Sequence, residues 1–445
     1  MWPVKPRPYL HRVNLINDLT LINDPSRLPR RLGHTAEAPL PAGRDTGIDL
    51  VRAFCVVVVV LLHALMAGVT VGGAGPEFVN TAEGAAWFTP LTWVVQVMPL
   101  FFVVGGFAGS IAYRRLRHRG GTPVDFLAGR VHRLLLPAVF SIGAAGVGLA
   151  MLAAGGVPAD LVLTAGFRYG QPLWFLAVFL VCQALLPALV AAHDRAPLGS
   201  ILGLTAAAVA VEVLRTTTGL EVIGILNLAF VWLTLQQLGF FLADGCLESL
   251  GRRTVVITGL GAVTLLAGFF ITGIFSPDLI ENLNPPTPAL LLVGVAQTAL
   301  LSLVRPTLTR LSTRPRIAAV TGFVTPRTMT IYLWHMPVLL TMAGATALLA
   351  MDTGVVLPEP SSAAWWLTRP LWLGIAAVLT TAAAWALAAG EQRRMPPPTA
   401  SGFRAAQAVL AGLAAVVLLL VAGTTVLSAT AAVCLLIVAL RRIRR

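Results

Sequence analysis

Long apolar segments separated by short polar loops run through most of this chain. Their length matches what a helix needs to cross about 30 Å of hydrocarbon, so each of them predicts a transmembrane helix. An apolar stretch from 405 to 440 is too long for one ordinary span, and Gly423-Thr424-Thr425 divides it into two short helices. We therefore predict an all-α, polytopic integral membrane helical bundle of about 10–12 transmembrane helices. The spans before that stretch lie near 48–68, 91–113, 134–154, 173–192, 199–214, 222–243, 254–276, 289–304, 328–350 and 368–390.

The composition agrees with a membrane domain rather than a soluble one. Of the 445 residues, 57% are hydrophobic and only 11% are charged, whereas soluble domains carry about 25% charged residues. Residues 1–47 are polar, basic and proline-rich and contain no apolar segment that suits a signal peptide, so we expect a flexible basic cytoplasmic tail there. Residues 48–390 form the predicted membrane-embedded domain, and 391–445 form a C-terminal transmembrane extension.

The distribution of arginine predicts the orientation of the chain, which has a net charge of +13. Segments 114–133 and 305–327 are rich in arginine, whereas loops 69–90, 277–288 and 351–367 contain Asp or Glu but no Lys or Arg. Basic loops of membrane proteins face the cytoplasm. The alternation predicts a multi-pass membrane protein with a cytoplasmic N-terminus, and we expect its location to be a bacterial-type cell membrane. It gives no reason to expect a nucleic-acid partner.

Sequence patterns typical of metal or nucleotide binding are missing. The cysteines Cys55, Cys182, Cys246 and Cys434 lie in or beside apolar segments and form no metal-ligand spacing. The chain also contains no HExxH, P-loop or dinucleotide-binding pattern. We therefore expect buried thiols rather than disulfides, and no metal cofactor.

The first predicted span contains two ionisable side chains, Arg52 and His63. Eleven helical steps of about 100° bring them to one face, with His63 about 16 Å along the axis from Arg52. Ionisable groups inside a membrane are unfavourable, and their presence suggests a functional site. The structural alternative is that Arg52 extends to the membrane surface and that His63 is a hydrogen-bonded core residue.

A second intramembrane histidine, His335, lies eight residues after Arg327 in the span near 328–350. That spacing places it about 12 Å from the cytoplasmic end of its helix. Both histidine-bearing helices run outward in the predicted topology, so we expect the two imidazoles to face one cavity, with Arg52 at its cytoplasmic side. Pro337 should free a backbone carbonyl nearby. The alternative is a structural histidine bonded to a neighbouring helix.

Two further groups of residues have both a functional and a structural interpretation. Arg130 and Arg133 share a helical face and suit bidentate recognition of phosphate, but the positive-inside rule by itself explains basic residues in such a loop. Trp174 opens the fourth span and fits the aromatic belt of a membrane protein. The paired glycines Gly105 and Gly106 permit close packing of helices or a distortion near a ligand.

Taken together and in this order, these segments resemble the membrane-bound acyltransferase 3 family. The resemblance covers residues from about 46 to 390, and the ordered set is more specific than any one segment. The segments that carry it are the Arg52–His63 pair with ten residues between them, Pro99-Leu100-Phe101-Phe102 followed by Gly106-Phe107, Arg130-Val131-His132-Arg133-Leu134, Leu173-Trp174-Phe175-Leu176 and Ile331-Tyr332-Leu333-Trp334-His335.

Such proteins transfer acetyl or other acyl groups, usually from cytoplasmic acyl-coenzyme A, to hydroxyls of cell-surface glycans, lipids or secondary metabolites. The resemblance therefore implies an acyltransferase with acyl-coenzyme A, most simply acetyl-coenzyme A, as donor. Arg52 and His63 match the arginine–histidine motif of the family, which makes His63 the candidate catalytic residue. Many members have Ser where this chain has Gly105, so any contact of that hydroxyl is missing here.

Acyl transfer from a thioester requires deprotonation of the acceptor hydroxyl, and an imidazole can take that proton near neutral pH. His63 is therefore the predicted general base, and His335 is the second catalytic candidate. Arg52 can hold a coenzyme A phosphate or stabilise charge, with Arg130 and Arg133 assisting at the cytoplasmic mouth. Direct attack and a covalent acyl-histidine intermediate both remain open.

Two residues of the matching segments, Trp174 and Tyr332, are candidates for binding the donor or the acceptor. The alternative function is a proton-coupled transporter, with which many spans and intramembrane histidines are compatible. A transporter of that kind needs acidic residues in its spans, and here only Asp49, at a helix end, and Glu212 qualify. A relative that binds lipid-linked glycan without catalysis is a third interpretation.

Overall fold

The computed structural model describes residues 45–73, 75–391 and 395–444. Residues 1–44, which make up nearly all of the predicted N-terminal tail, lie outside the described residues. The described chain is helical apart from one short hairpin. Its helices are α1 Thr46–Met66, α2 Phe88–Val95, α3 Met98–His118, α4 Pro123–Ala154, α5 Ala159–Gly170, α6 Trp174–Arg195, α7 Pro197–Thr218, α8 Asn227–Ala243, α9 Cys246–Ser249, α10 Arg252–Ile271, α11 Ala289–Ser312, α12 Pro315–Val324, α13 Thr328–Thr353, α14 Ala363–Glu391, α15 Gly402–Ala422 and α16 Val426–Arg442.

Eleven helical segments of the described chain are long and apolar enough to cross a membrane. Each of the ten spans expected before residue 391 overlaps one of them, and α15 is the eleventh. The break after α15 falls at Gly423, as expected, and α16 adds a helix of 17 residues. The prediction of a polytopic helical membrane protein is confirmed.

The strands β1, Ala67–Gly72, and β2, Gly75–Asn80, form an antiparallel hairpin that the sequence analysis treated as a loop. The hairpin directly follows α1, and Ala67 pairs with Asn80 at its base. Thr81 then donates a hydrogen bond from its hydroxyl to the Leu65 carbonyl at the end of α1. The hairpin therefore satisfies backbone groups where the first helix ends, close to His63.

Ion pairs tie helix ends together at one end of the bundle, which we call the arginine-rich end. Asp45 caps α1 by accepting a hydrogen bond from the Ile48 amide at 2.9 Å, and Arg305 in the C-terminal half of α11 donates to the same carboxylate at 2.6 Å. Arg114 of α3 pairs with Asp194 at 2.7 Å and also with Asp244. The pair between Asp45 and Arg305 holds the start of α1, the helix that carries Arg52, against α11. The other end of the bundle, which holds the hairpin, is called the opposite end below.

The Asp244 carboxylate directly after α8 accepts hydrogen bonds from two side chains, Arg114 and His193. Burial opposes its ionisation, but hydrogen bonds from Arg114 and from His193, whose Nε2 lies 3.0 Å away, hold the pKa of Asp244 below its ordinary value. Gln237 contacts the other ring nitrogen of His193 at 2.8 Å. The network joins α3, α6 and α8, and both acidic partners of Arg114 belong to it.

Two glycines allow α3 and α8 to pack with their backbones in contact. A Cβ atom at Gly106 would overlap the Gln236 carbonyl, and one at Gly239 would overlap the Val103 carbonyl. By contrast, a Cβ at Gly105 would lie 3.6 Å from the Phe179 ring, which is an ordinary contact. The paired glycines therefore differ in role, since Gly106 sets the helix spacing and Gly105 does not.

We expect Gly106→Ala to lower the free energy of unfolding by roughly 1–3 kcal/mol, because the added methyl group forces α3 away from α8. The matched control is Gly105→Ala, which adds the same atoms one residue earlier where space exists. Thermal unfolding of both detergent-solubilised variants measures the difference. Equal midpoints for the two would contradict the packing role of Gly106.

Candidate active site

Two cavities lie inside the described bundle and meet between α3 and α13. The larger, about 680 Å³, is the arginine vestibule, and Arg52, Gly105, Arg130, His132 and Arg133 line it. The smaller, about 230 Å³, is the histidine cavity, and His63, Gln96, Arg168, Trp174, Asn284 and Tyr332 line it. Phe101 and Thr328 line both cavities. The two cavities are therefore adjacent at this pair of residues.

His63 lies in the last turn of α1 and borders the histidine cavity. Its Nδ1 atom is 2.9 Å from the Val59 carbonyl one turn earlier. A carbonyl can only accept a hydrogen bond, so Nδ1 carries the proton and donates it. In the neutral imidazole, Nε2 then has a free lone pair, which is the tautomer that a general base requires.

His335 packs directly against His63, with the ring centroids 5.0 Å apart and the rings inclined at 52°. Its side chain is completely buried, and its Nδ1 lies 2.5 Å from the Tyr332 carbonyl. Its Nε2 has no hydrogen-bond partner among the described residues. The structure thus brings the two predicted histidines together, but only His63 borders a cavity and His335 supports it from behind.

Hydrogen bonds to neighbouring helices hold the α13 segment that carries His335. Pro337 has no N–H group, so the Leu333 carbonyl four residues earlier loses its helical donor. The Ser141 hydroxyl of α4 donates to that carbonyl at 2.9 Å and lies 3.0 Å from the Tyr169 hydroxyl. The carbonyl freed by Pro337 is therefore satisfied by a neighbouring helix, as membrane proteins require.

Tyr332 lines the histidine cavity, but its hydroxyl donates a hydrogen bond to the Pro172 carbonyl at 2.7 Å. This bond connects α13 to the turn that precedes α6. Trp174, the first residue of α6, stacks on Trp232 at 5.8 Å between centroids, and Trp232 stacks on Phe102 at 4.5 Å. Tyr332 is therefore engaged in positioning helices, whereas Trp174 offers an aromatic face to the cavity.

Gln96 borders the histidine cavity at a break between α2 and α3 that the sequence analysis missed. The side chain donates from Nε2 to the Leu279 carbonyl at 2.8 Å, and the backbone carbonyl of Gln96 accepts from Gln297 at 2.7 Å. Non-helical backbone inside a membrane is tolerated only where it is buried in protein or lines a cavity. A polar Gln96 followed closely by Pro99 within an apolar segment was the signal that could have located the break.

The three arginines of the vestibule, Arg52, Arg130 and Arg133, differ in their contacts. Arg52 lies 3.6 Å from the Asp49 carboxylate, and Arg130 lies over the Phe126 ring at 4.8 Å from its centroid. The structure gives neither Arg130 nor Arg133 a carboxylate partner within the described part of the chain. Among the described residues, the charges of Arg130 and Arg133 are therefore not compensated by a carboxylate, and a cationic cavity beside a low-dielectric interior suits a polyanionic ligand.

Some arginines elsewhere in the bundle have acidic partners. Three of them contact two carboxylates each, and the pairs are Arg114 with Asp194 and Asp244, Arg215 with Glu212 and Glu221, and Arg305 with Asp45 and Glu248. The positive-inside rule explains on which side a basic residue lies. It does not explain why Arg52, Arg130 and Arg133 share one cavity.

The helices and cavities define an integral, multi-pass membrane protein with an internal site built from basic and histidine side chains. In a comparison with protein families, residues 45–389 match the family described as the acyltransferase domain of the acyltransferase 3 type. The chain belongs to this family and is a membrane acyltransferase, which confirms the resemblance found in the sequence and does not favour the transporter alternative. Comparisons with curated proteins and with solved structures gave no match.

Proposed function

We propose that this membrane acyltransferase transfers an acyl group, most simply acetyl, from acyl-coenzyme A to a hydroxyl of a glycan, lipid or small-molecule acceptor. The donor binds in the arginine vestibule, which faces the cytoplasm, and the acceptor binds in the histidine cavity. The observation that carries the proposal is that a cationic cavity and a cavity bordered by a base-competent imidazole meet at Phe101 and Thr328.

The charge and the length of the path support coenzyme A as the donor. Coenzyme A carries a diphosphate and a further phosphate, and the guanidinium group binds phosphate bidentately. Arg52 and His63 are separated by about 16 Å along α1, a reach comparable to that of an extended pantetheine arm. A donor held by its phosphates in the vestibule would therefore present its thioester near His63.

The reaction at His63 follows from its tautomer. Nε2 takes the proton of the acceptor hydroxyl as the oxygen attacks the thioester carbonyl. The carbon–sulfur bond then breaks, the acyl group remains on the acceptor oxygen, and the imidazolium returns its proton to the coenzyme A thiolate. His335, whose ring contacts His63, acts as a positioning residue in this scheme.

Transfer of a radioactive label tests the proposal. Membranes that contain the full-length protein are incubated with acetyl-coenzyme A labelled in the acetyl group, and label in glycan, lipid and small-molecule fractions is measured together with free thiol. We expect label in an acceptor and one free thiol for each acetyl group transferred. Uptake of a solute driven by a pH gradient, with no label transferred, would contradict the proposal.

A side chain that fills the vestibule should block the donor. Gly129 lines the vestibule, and no atom lies within 4 Å of a Cβ built on it, so Gly129→Leu extends into the cavity without displacing packed atoms. We expect the KM for acetyl-coenzyme A to rise about tenfold, which corresponds to a steric free energy of about 1.4 kcal/mol. Steady-state kinetics with the donor varied measure this change.

The control for this substitution is Gly148→Leu on the same helix. A Cβ at Gly148 also has open space around it, but Gly148 is not among the residues that line the vestibule. Both changes replace glycine in a helix interior and should favour the helix equally. Equal donor KM values in the two variants would contradict the proposal that the donor binds in the vestibule.

A further inference from the structure

Arg168 is a basic side chain in the histidine cavity, at the end of the bundle where basic residues are scarce. It lies in α5 and is half-buried. Within the described residues, its guanidinium has neither a carboxylate nor a hydrogen-bond partner, and no Asp or Glu lines the histidine cavity. Among the described residues, this positive charge is therefore not compensated by a carboxylate, and it lines the same small cavity as the proposed base.

Helix packing fixes the direction in which Arg168 points. A Cβ atom at Gly170 would lie 2.7 Å from the Thr424 hydroxyl oxygen, and one at Gly166 would overlap the Thr424 carbonyl. These glycines are four residues apart, so they form one face of α5, which packs on the turn between α15 and α16. Arg168 lies about 200° around the helix from Gly166 and therefore projects from the other face.

A partly desolvated cation is unfavourable unless an opposite charge approaches it. Arg215, near the same end of the bundle, meets this requirement with Glu212 and Glu221. Arg168 has no such protein partner among the described residues and borders the cavity together with Trp174 and His63. The missing opposite charge is best supplied by the molecule that occupies the cavity.

We propose that the acceptor carries an anionic group, a carboxylate or a phosphate, which Arg168 binds while the reacting hydroxyl lies at His63. The inference rests on the proposed function and specifies its acceptor. Trp174 provides a flat apolar surface of the kind that packs against a sugar ring or another apolar part of the acceptor. In this small cavity, about 230 Å³, the enzyme would thus select an acceptor whose anionic group lies close to the hydroxyl that reacts.

The test compares acceptors that differ in charge. The full-length protein in phosphatidylcholine vesicles receives labelled acetyl-coenzyme A with glucose, glucuronic acid or glucose 1-phosphate as soluble probes. A parallel set of vesicles contains phosphatidylglycerol, a lipid that carries both a phosphate and free hydroxyls. Preference for the charged soluble probes points to a soluble or glycan anion, and labelling of phosphatidylglycerol points to a lipid headgroup.

We expect Arg168→Gln to raise the KM for the preferred anionic acceptor by roughly 10- to 100-fold, as loss of a charged hydrogen bond predicts. The donor KM should stay unchanged. Arg168→Lys should retain part of the preference, because it keeps the charge. Asp160→Asn, an exposed change of one charge on the same helix, is the control and should behave as wild type.

The outcome separates this inference from the proposed function. Transfer of the acetyl group to any acceptor hydroxyl, if it depends on His63, supports the proposed function whatever the charge of the acceptor is. No preference for an anion in either set of vesicles, or a preference that Arg168→Gln leaves unchanged, overturns the inference and leaves the function standing.

Discussion

Replacement of His63 by glutamine is expected to lower the rate of acyl transfer by about 10²–10⁴-fold, the usual contribution of a general base. Glutamine is polar and close in size to histidine, but it cannot accept the proton of the acceptor hydroxyl. Donor affinity should change little, because the vestibule arginines are a separate group of residues. Single-turnover transfer of labelled acetyl to the acceptor, at saturating donor, measures the effect.

Two other histidine variants are compared with this one: the first is a control, and the second tests the contact between the two histidine rings. His118 is exposed at the end of α3 and lines neither the vestibule nor the histidine cavity, so His118→Gln should leave the rate unchanged. His335→Gln should have an intermediate effect and shift the pH–rate profile, because the His335 ring contacts that of His63. Undiminished transfer by His63→Gln would show that the base is another group.

The membrane spans could be predicted from the sequence because apolar length is a local property of the chain. The spans near 48–68 and 328–350 contain the two histidines, and the structure has helices α1 and α13 there. The break at Gln96 could not be predicted in the same way. Gln96 stays non-helical because its side chain and its backbone bond to Leu279 and Gln297, which are far away in the sequence.

In the candidate site, too, local features could be predicted from the sequence and contacts between distant segments could not. The 3.6-residue period placed Arg52 and His63 on one face of α1, and each of them lines a cavity. The period could not show that these are two cavities, because residues of other helices, such as Phe101 of α3 and Thr328 of α13, lie where the two cavities adjoin. Arg168 was missed for a different reason. It is the one basic residue in the segment 155–172, which the predicted spans leave as a loop, and a single arginine in a loop does not indicate a site.

Removal of the vestibule arginines should weaken donor binding strongly. Arg130→Ala and Arg133→Ala are each expected to raise the KM for acetyl-coenzyme A by roughly 10- to 100-fold, since each removes a charge-assisted hydrogen bond to phosphate. The loss should shrink as salt concentration rises, because the exposed Arg133 in particular acts through a screened interaction. Arg52→Lys keeps the charge but loses the planar fork, so it should be impaired as well.

Donor kinetics at low and high salt, with the acceptor saturating, give the measurement. Arg119→Ala is the matched control, because Arg119 is an exposed arginine directly after α3 that does not line the vestibule. A cationic surface that merely attracts coenzyme A would make Arg119 as important as Arg130. Selective loss in the vestibule variants, with kcat retained, instead indicates that the phosphates are held where the pantetheine arm can reach from Arg52 to His63.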